Sequence, residues 1–238
     1  MPDASLPPVY AIGDIHGEIH LLNRLLGRVV EDARACGVSG RPRLVFLGDY
    51  GDRGVNSKAV YDKLSSPAFA EEFDAVFVKG NHEQMLVDAE RDPSTSMLWL
   101  NNGGAEFVES YGFAFRRAPS DVLPEFFSAF PPAHRAFLAR MRPWHQEGGY
   151  LFVHAGIDPL RPSNRDPDVL MWMREPFLSC TEDYGFKVVH GHTPAPSVVI
   201  RANRIGVDTG CGHHPSDPLS AVALHGDSGL VRIIDTRH

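Results

Sequence analysis

The chain has 238 residues, of which 43% are hydrophobic, and its formal net charge is −7. That length fits one large domain or two small ones with a buried core. The negative charge argues against a nucleic-acid binder or an anionic-membrane binder, because both need a basic face. No apolar run approaches the ~20 residues that a membrane span needs. Three widely spaced cysteines fit a reducing cytoplasm better than a disulfide framework, so we expect a cytoplasmic protein.

Three similar units follow one another at the start of the chain. Each has a short apolar run and then a glycine-flanked polar loop, and strands are predicted at 9–12, 44–47 and 75–78. Helical spacing of apolar residues predicts helices at about 19–35 and 57–64, the second ending before a proline. The repeat of strand, loop and helix indicates parallel strands joined by crossover helices.

The pattern then changes to helices. We expect a helical insertion at about 84–142 inside a single domain that covers 1–238, because no linker separates it. The predicted helical segments are 83–91, 94–102, 105–111, 121–129 and 132–141.

Strands resume after the insertion. The sequence predicts strands at 149–153 and 187–190, with a short helix or turn at 169–174 between them. Alternating apolar and turn residues then predict a mostly antiparallel set of strands. These strands are expected at 197–200, 204–207, 219–224 and 230–234.

Five predicted strand ends carry aspartate, histidine or asparagine. The motifs are Gly13-Asp14-Ile15-His16-Gly17, Gly48-Asp49-Tyr50-Gly51-Asp52-Arg53-Gly54, Gly80-Asn81-His82-Glu83, His154-Ala155-Gly156 and Gly191-His192-Thr193. Any one of them could be an ordinary turn, but five together predict a metal site. Oxygen and nitrogen donors without thiolate disfavour structural zinc and suit manganese, iron or catalytic zinc.

The motif order GDIHG, GDYGDRG, GNHE, HAG and GHT resembles the phosphoprotein phosphatase family of calcineurin-like metallophosphoesterases, in its bacterial and phage form. The likeness covers about 9–234 and includes the stretches at 99–104 and 172–175. It implies an α/β fold in which two mixed β-sheets are sandwiched between helices, as α/β/β/α layers with a helical insertion. Gly51 departs from the apolar residue usual in the family, and we expect a looser loop with the chemistry retained.

The resemblance also implies two divalent metal ions, manganese by preference, with iron or zinc as alternatives. Asp14 and His16 would bind the first ion and Asp49 would bridge both. The second ion would be completed by Asn81, His154 and His192. A hydroxide between the two ions would attack the substrate directly.

Four further residues receive catalytic roles from the same resemblance. His82 would be the general acid, and Asp52 would orient its ring. Arg53 and Arg174 would bind phosphoryl oxygens, because a planar guanidinium suits bidentate contact.

The predicted activity is hydrolysis of phosphomonoesters, such as phosphoserine and phosphothreonine in proteins or small phosphate esters. A symmetrical bis(5'-nucleosyl)-tetraphosphatase or related phosphoanhydride hydrolase stays open, because such relatives share the metal ligands. A nucleotide substrate would need a base-stacking aromatic and extra cations near the insertion, where Arg116, Arg117, Arg135, Arg140 and Arg142 are candidates. A non-catalytic binding module would lack ligands, and none is missing. Thr193 disfavours a phosphodiesterase, whose relatives usually carry a second histidine there.

Several other polar residues receive plainer interpretations. Glu83 fits the first turn of the insertion, where a carboxylate favours a helix N-terminus. His190 is left out of the ligand set, and the histidines at 213–214 are expected in a loop near the site. Asp208 is a candidate for supporting the metal ligands. Trp99 is expected to pack within a helix.

Overall fold

Three neighbouring parallel strands form one side of the first sheet in the computed structural model, which describes residues 7–226 and 230–237. They are β1 (Val9–Ile12), β2 (Arg43–Phe46) and β3 (Asp74–Phe77). Two antiparallel strands, β9 (Ser220–His225) and β10 (Leu230–Asp235), extend the sheet beyond β1. The strand order is β10-β9-β1-β2-β3.

In the second sheet the parallel strands lie at the centre. Its strands are β4 (Trp144–Glu147), β5 (Tyr150–Val153), β6 (Lys187–His190), β7 (Val199–Ile200) and β8 (Arg204–Gly206). Their order is β4-β5-β6-β8-β7, with β5, β6 and β8 parallel and the two edge strands antiparallel to their neighbours. In each sheet, several parallel strands therefore end at the same edge, and loops follow them there.

The helices fall into three groups along the chain. The first group lies between the strands of the first sheet: α1 (Ile19–Ala35), α2 (Ser57–Ser65) and α3 (Pro67–Glu72). The insertion contains α4 (Asn81–Arg91), α5 (Ser96–Trp99), α6 (Ala105–Ser110), α7 (Pro119–Ala129) and α8 (Pro132–Ala139). A further helix, α9 (Pro167–Trp172), follows β5. No helix in the described part of the chain is both long and apolar enough to cross a bilayer.

Alternation of side chains along the strands separates three apolar layers. Tyr10 and Ile12 face the helices, whereas Ala11 of the same strand lies in the cluster between the two sheets. A third cluster, which includes Leu151 and Phe177, covers the outer face of the second sheet. Each fully buried large apolar side chain contributes about 1.5–3 kcal/mol. The predicted α/β/β/α sandwich of two mixed sheets is confirmed.

The insertion leaves and rejoins the first sheet at one place. The amide of Lys79 donates to the carbonyl oxygen of Arg142 at 2.8 Å, and the amide of Arg142 donates to Phe77 at 2.9 Å. Its helices α4 to α8 lie between these points. The two ends of the insertion are thus anchored beside β3, directly behind the loop that carries Asn81.

Some predicted elements differ from the observed ones. The polar sequence of β4 gave no strand signal, because this strand pairs at an edge. Pro67 begins α3 instead of only ending α2, since proline is tolerated in the first turn of a helix. The helix predicted at 94–102 is broken into a 3₁₀ turn, the short α5 and a π turn at Leu100–Gly104. The last strands are mostly antiparallel, as predicted, and the exception is β8, which is parallel to β6.

Candidate active site

Unusual backbone geometry marks one place in the molecule. Five non-glycine residues of the described ranges have a positive φ, between 45° and 66°: His16, Asp49, Asp52, Arg53 and His192. All five belong to the strand-end motifs. Such conformations cost on the order of 1–3 kcal/mol each and persist where the surroundings enforce them, typically at functional sites. The loops at the strand ends are therefore shaped for the side chains that they present.

Backbone carbonyls fix the orientation of two of the predicted histidine ligands. His154 Nδ1 lies 2.7 Å from the carbonyl oxygen of Leu47, and His16 Nδ1 lies 3.0 Å from that of Gly51. A carbonyl oxygen can only accept, so each Nδ1 carries a proton, and in the neutral ring Nε2 is then the nitrogen with the free lone pair. This is the arrangement that orients histidines which bind a metal through Nε2.

Donor atoms from both sheets converge on one point. His154 Nε2 lies 2.8 Å from Asn81 Oδ1, 3.1 Å from His192 Nδ1 and 3.4 Å from Asp49 Oδ2. His192 Nδ1 lies 3.0 Å from the same Asn81 oxygen. These are the separations that ligands of one small cation have, because Zn–N and Zn–O bonds of about 2.0–2.2 Å bring neighbouring donors to such distances. The donor set fits a divalent ion.

Asp49 belongs to two groups of converging donors. The first group is His16, Asp49 and His82, the second is Asp49, His154 and His192, and all donor atoms within each group lie within 4.8 Å of one another. A carboxylate shared in this way suits the bridging position predicted for Asp49. Asp14 lines the same cavity, and both of its oxygens accept the amide of His192, at 3.0 and 3.2 Å. Its assignment to the first ion stays a prediction.

The buried carboxylates of the site shift the pKa values of their neighbours. Burial disfavours the charged form of His154, but Asp49 and Asp14 raise its pKa to about 10. Burial and the neighbouring Asp208 raise the pKa of Asp14 well above its usual range. Burial likewise raises the pKa of Asp208 to about 6. Asp208 thus acts on Asp14 electrostatically, and its support of the metal ligands stays a prediction.

His82 is held differently from the other site histidines. Its Nδ1 donates to Asp52 Oδ2 at 2.7 Å, and its Nε2 lies 3.8 Å from Asp49 Oδ2. Burial lowers the pKa of His82, but Asp49 and Asp52 outweigh burial and raise it. Trp99 donates its indole Nε1–H to both oxygens of Asp52, at 3.1 and 3.0 Å. The helix-packing interpretation of Trp99 missed this contact, because the two residues are far apart in sequence.

Glu83 does more than begin a helix. It lies in the first turn of α4, as predicted, and its carboxylate accepts the amide of Gly80 at 3.0 Å. The same carboxylate accepts the amides of Asp49 and Tyr50, both at 2.9 Å. Burial raises the pKa of Glu83 to about 7, and the hydrogen bond from Tyr50 opposes that rise. Glu83 thus joins the second and third strand-end loops.

A cavity of about 260 Å³ opens above these donors. It is lined by Asp14, His16, Asp49, Arg53, Asn81, His82, Asn102, Trp172, Arg174, His192, Pro194 and His213. Both predicted phosphate-binding arginines, Arg53 and Arg174, therefore lie on its wall. Asp52 and His154 lie behind the lining, in contact with His82 and Asn81. Sequence reasoning did not assign Asn102, Trp172 or Pro194 to the cavity.

Two histidines outside the predicted site lie in different surroundings. His213 lies on the cavity wall, with its Nδ1 3.0 Å from Arg53 Nη1. His190 is buried behind the site, where it packs against Phe177, and burial lowers its pKa to about 4. Its omission from the ligand set agrees with this position.

Packing explains the unusual residue of the second motif. A Cβ atom on Gly51 would lie 2.6 Å from the ring of Phe107. Phe107 belongs to α6 of the insertion and is almost fully buried. Its ring therefore occupies the space that a side chain at position 51 would need, and the loop is packed where the sequence suggested a looser one.

The four-layer sandwich and the two donor groups that share Asp49 define a candidate dimetal site of a hydrolase. The family model for Calcineurin-like phosphoesterase matches residues 7–234. The chain therefore belongs to the calcineurin-like phosphoesterase family, and it is a hydrolase of the metallophosphoesterase kind.

Relatives of the chain carry two kinds of name. Serine/threonine-protein phosphatase 1 of Salmonella typhimurium is 39% identical over 100 residues, which span 42% of this chain and 40% of that protein. Bis(5'-nucleosyl)-tetraphosphatase PrpE [asymmetrical] of Anoxybacillus flavithermus is 28% identical over 84% of both chains. The crystal structure of a candidate diadenosine tetraphosphatase superposes with a TM-score of 0.66 and 20% identity, over 99% of this chain and 96% of that one. At that identity the superposition concerns the fold alone.

Proposed function

We propose that the protein is a metal-dependent phosphatase of phosphomonoesters, with phosphoserine and phosphothreonine in proteins as its substrate class. The observation that carries the proposal is the position of His82. Its Nε2 lies 3.8 Å from the Asp49 carboxylate that both donor groups share, its Nδ1 is hydrogen-bonded to Asp52, and its ring faces a cavity walled by two arginines. A general acid, metal donors and phosphate-binding cations are thus present in one small space.

The six predicted ligands would hold two divalent ions, which supply an acidified water molecule and neutralise phosphoryl oxygens when bound. The chain's own groups do the rest. Arg53 and Arg174 would orient the phosphoryl group from the cavity wall. His82, protonated at Nε2 and anchored through Nδ1 to Asp52, would give its Nε2 proton to the leaving oxygen as the P–O bond breaks. The products are an alcohol and inorganic phosphate, and His82 ends neutral.

The positions of the arginines in the insertion favour a small phosphate ester over a nucleotide as the substrate. Arg117 pairs with Glu125, and Arg135 pairs with Glu90. Arg140 lies over the ring of Phe77, 5.2 Å from its centroid. No arginine of the insertion lines the cavity above the donors in the described chain. The candidate cations for a polyphosphate chain therefore lie away from this cavity.

A dinucleoside tetraphosphatase is the second candidate, and one observation favours it. Trp172 lies on the cavity wall with 44% of its surface exposed, so its indole is available to stack on a base. Stacking of this kind typically contributes about 1–3 kcal/mol per base. The relatives named as tetraphosphatases agree with this alternative.

One parallel assay separates the two candidates. The purified protein would be supplied with Mn²⁺ or with a chelator and offered a phosphoserine peptide, a phosphotyrosine peptide, diadenosine tetraphosphate and an aryl phosphate. We expect Mn²⁺-dependent hydrolysis with the phosphoserine peptide preferred over the dinucleotide. A strong preference for the dinucleotide would favour the second candidate, and inactivity on every substrate with every metal would refute the phosphatase proposal.

The His82→Asn variant tests the general acid in the same assay. We expect a fall in kcat of about 10²–10⁴-fold, the usual contribution of general acid–base catalysis. His20→Asn is the matched control, because His20 is exposed on α1 and lies outside the cavity. Equal activity of His82→Asn and the wild type would remove His82 from the mechanism.

A further inference from the structure

A buried tryptophan completes the hydrogen-bonded chain behind His82. Trp99 Nε1 lies 3.1 and 3.0 Å from the two oxygens of Asp52, and Asp52 Oδ2 lies 2.7 Å from His82 Nδ1. All three side chains are buried, with exposed fractions of 0% for Trp99, 2% for Asp52 and 4% for His82. The insertion thus reaches the predicted general acid through one indole N–H group.

The indole itself is fixed by aromatic packing. Phe107 of α6 packs against it with ring centroids 5.8 Å apart, and Phe126 and Phe127 of α7 lie at 6.2 and 6.1 Å. A buried tryptophan N–H normally finds a hydrogen-bond acceptor. Here three helices of the insertion hold the ring so that its N–H points at Asp52.

The loop that carries Asp52 needs such support. Asp52 has a φ of 66°, in the left-handed region, and Arg53 beside it has a φ of 61°. The insertion holds this loop at a second point, since the amide of Arg53 donates to the carbonyl oxygen of Gly103 at 3.0 Å. An N–H shared by both carboxylate oxygens opposes rotation of the carboxylate group, and so keeps Oδ2 on His82.

We propose that Trp99 is a positioning residue for catalysis: its indole N–H fixes the carboxylate of Asp52 so that His82 points its Nε2 at the leaving oxygen. The proposal rests on the proposed function, because it assigns to Trp99 the support of the general acid used there. Trp99 does not line the cavity, and it would act on His82 through Asp52.

The Trp99→Phe variant tests this role, since it removes the N–H and keeps an aromatic ring in the same packing. The two substrates are a phosphoserine peptide, whose leaving alkoxide needs a proton, and 2,4-dinitrophenyl phosphate, whose leaving phenolate is stable without one. We expect kcat to fall about 10-fold for the peptide and less than about twofold for the aryl ester, because a proton donor matters most for a poor leaving group. KM and the Mn²⁺ concentration for half activity should not change.

Trp144→Phe is the matched control. Trp144 lies on β4, where the guanidinium of Arg165 stands over its ring, and it does not line the cavity. We expect both substrates to be hydrolysed by this variant as by the wild type. For Trp99→Phe, an unchanged kcat on the peptide would overturn the proposal. An equal fall on both substrates would also overturn it, because that result indicates lost packing alone.

A measurement without turnover keeps the test independent of the proposed function. The Nδ1 proton of His82 would be followed by NMR and identified by its loss in His82→Asn. We expect this proton to exchange with water faster in Trp99→Phe than in the wild type and in Trp144→Phe. Unchanged exchange overturns the proposal.

If the wild type hydrolyses no phosphate ester, the proposed function fails, whereas faster exchange would still establish that Trp99 positions the Asp52–His82 pair. If Trp99→Phe does not fold, the same proton is followed in the wild type and in Phe127→Leu. The Phe127→Leu change loosens the packing of α7 against the indole. Unchanged exchange in this variant overturns the proposal.

Discussion

At the scale of single residues, Glu83 shows how a side chain outside the predicted ligand set can shape the site. Its two oxygens accept three backbone amides, from Asp49, Tyr50 and Gly80. Asp49 is the donor shared by both metal groups, so Glu83 fixes the peptide from which that shared carboxylate extends. A carboxylate suits this position because it only accepts hydrogen bonds when ionised.

Glu83→Gln should therefore weaken both the fold and the metal site. A glutamine side chain keeps one acceptor oxygen but turns an NH₂ group toward an amide donor, and the unpaired buried donor costs about 1–3 kcal/mol. We expect the free energy of unfolding, measured by urea denaturation, to fall by that amount. Isothermal titration should show weaker Mn²⁺ binding, because the peptide of Asp49 loses its anchor.

The control for this change is Glu71→Gln, since Glu71 is exposed on α3. Surface substitutions usually change stability by less than about 0.5 kcal/mol. If Glu83→Gln resembles this control in both stability and Mn²⁺ binding, the three hydrogen bonds do not hold the site.

At the scale of elements, the π turn at Leu100–Gly104 connects the insertion to the loop of Asp52 and Arg53. Gly103 has a φ of 103°, and a Cβ atom there would lie 2.4 Å from the backbone nitrogen of Arg53. The backbone of the turn can approach the loop only because residue 103 has no side chain. The geometry of the predicted phosphate-binding Arg53 therefore depends on this turn.

Gly103→Ala should lower catalytic efficiency through this contact. The added methyl group must displace the backbone of Arg53, and a misplacement of about 1 Å in a site can cost on the order of 100-fold in rate. We expect kcat/KM for an aryl phosphate to fall at least about 10-fold, as measured by steady-state kinetics.

Gly112→Ala is the control, because Gly112 also has a positive φ, 90°, but its Cβ would meet nothing within 4 Å. Both variants carry left-handed backbone strain, which destabilises on the order of 1 kcal/mol. Only Gly103→Ala should lose efficiency. Similar kinetics in the two variants would mean that the turn does not set the position of Arg53.

The same elements show what the sequence could and could not predict. The strand ends were predictable, because an apolar run followed by a polar glycine-flanked loop is a local pattern. The contacts of Trp99 and Glu83 were not predictable, because they join residues distant in the chain. Trp99 donates to Asp52, and Glu83 accepts the amides of Asp49 and Tyr50. The edge strand β4 carries polar residues and gave no apolar run, whereas the parallel pairing of β8 depends on which strand lies beside it. Motifs of neighbouring residues could be predicted from the sequence, whereas contacts between distant segments could not.

At the scale of the whole molecule, the predicted ligands come from both sheets. Asp14, Asp49 and Asn81 follow β1, β2 and β3 of the first sheet, whereas His154 and His192 follow β5 and β6 of the second. Elsewhere the two sheets meet mainly through an apolar layer, which has no directional bonds, and Arg43 of β2 also pairs with Glu147 of β4 at 2.9 Å. Ions held at this edge would add direct bonds between the sheets, so we expect metal binding to affect the stability of the whole sandwich.

Mn²⁺ should therefore raise the unfolding midpoint of chelator-treated protein. A ligand that binds only the folded state stabilises it by about 2.7 kcal/mol at a concentration 100 times its Kd. His192→Ala removes a donor of the second sheet, and we expect its Mn²⁺-dependent rise in Tm, measured by calorimetry, to be clearly smaller than that of the wild type. The exposed His20→Ala variant should keep the full rise, which controls for Mn²⁺ binding elsewhere on a chain of net charge −7. An equal rise in all three proteins would show that the stabilising ion does not join the two sheets through His192.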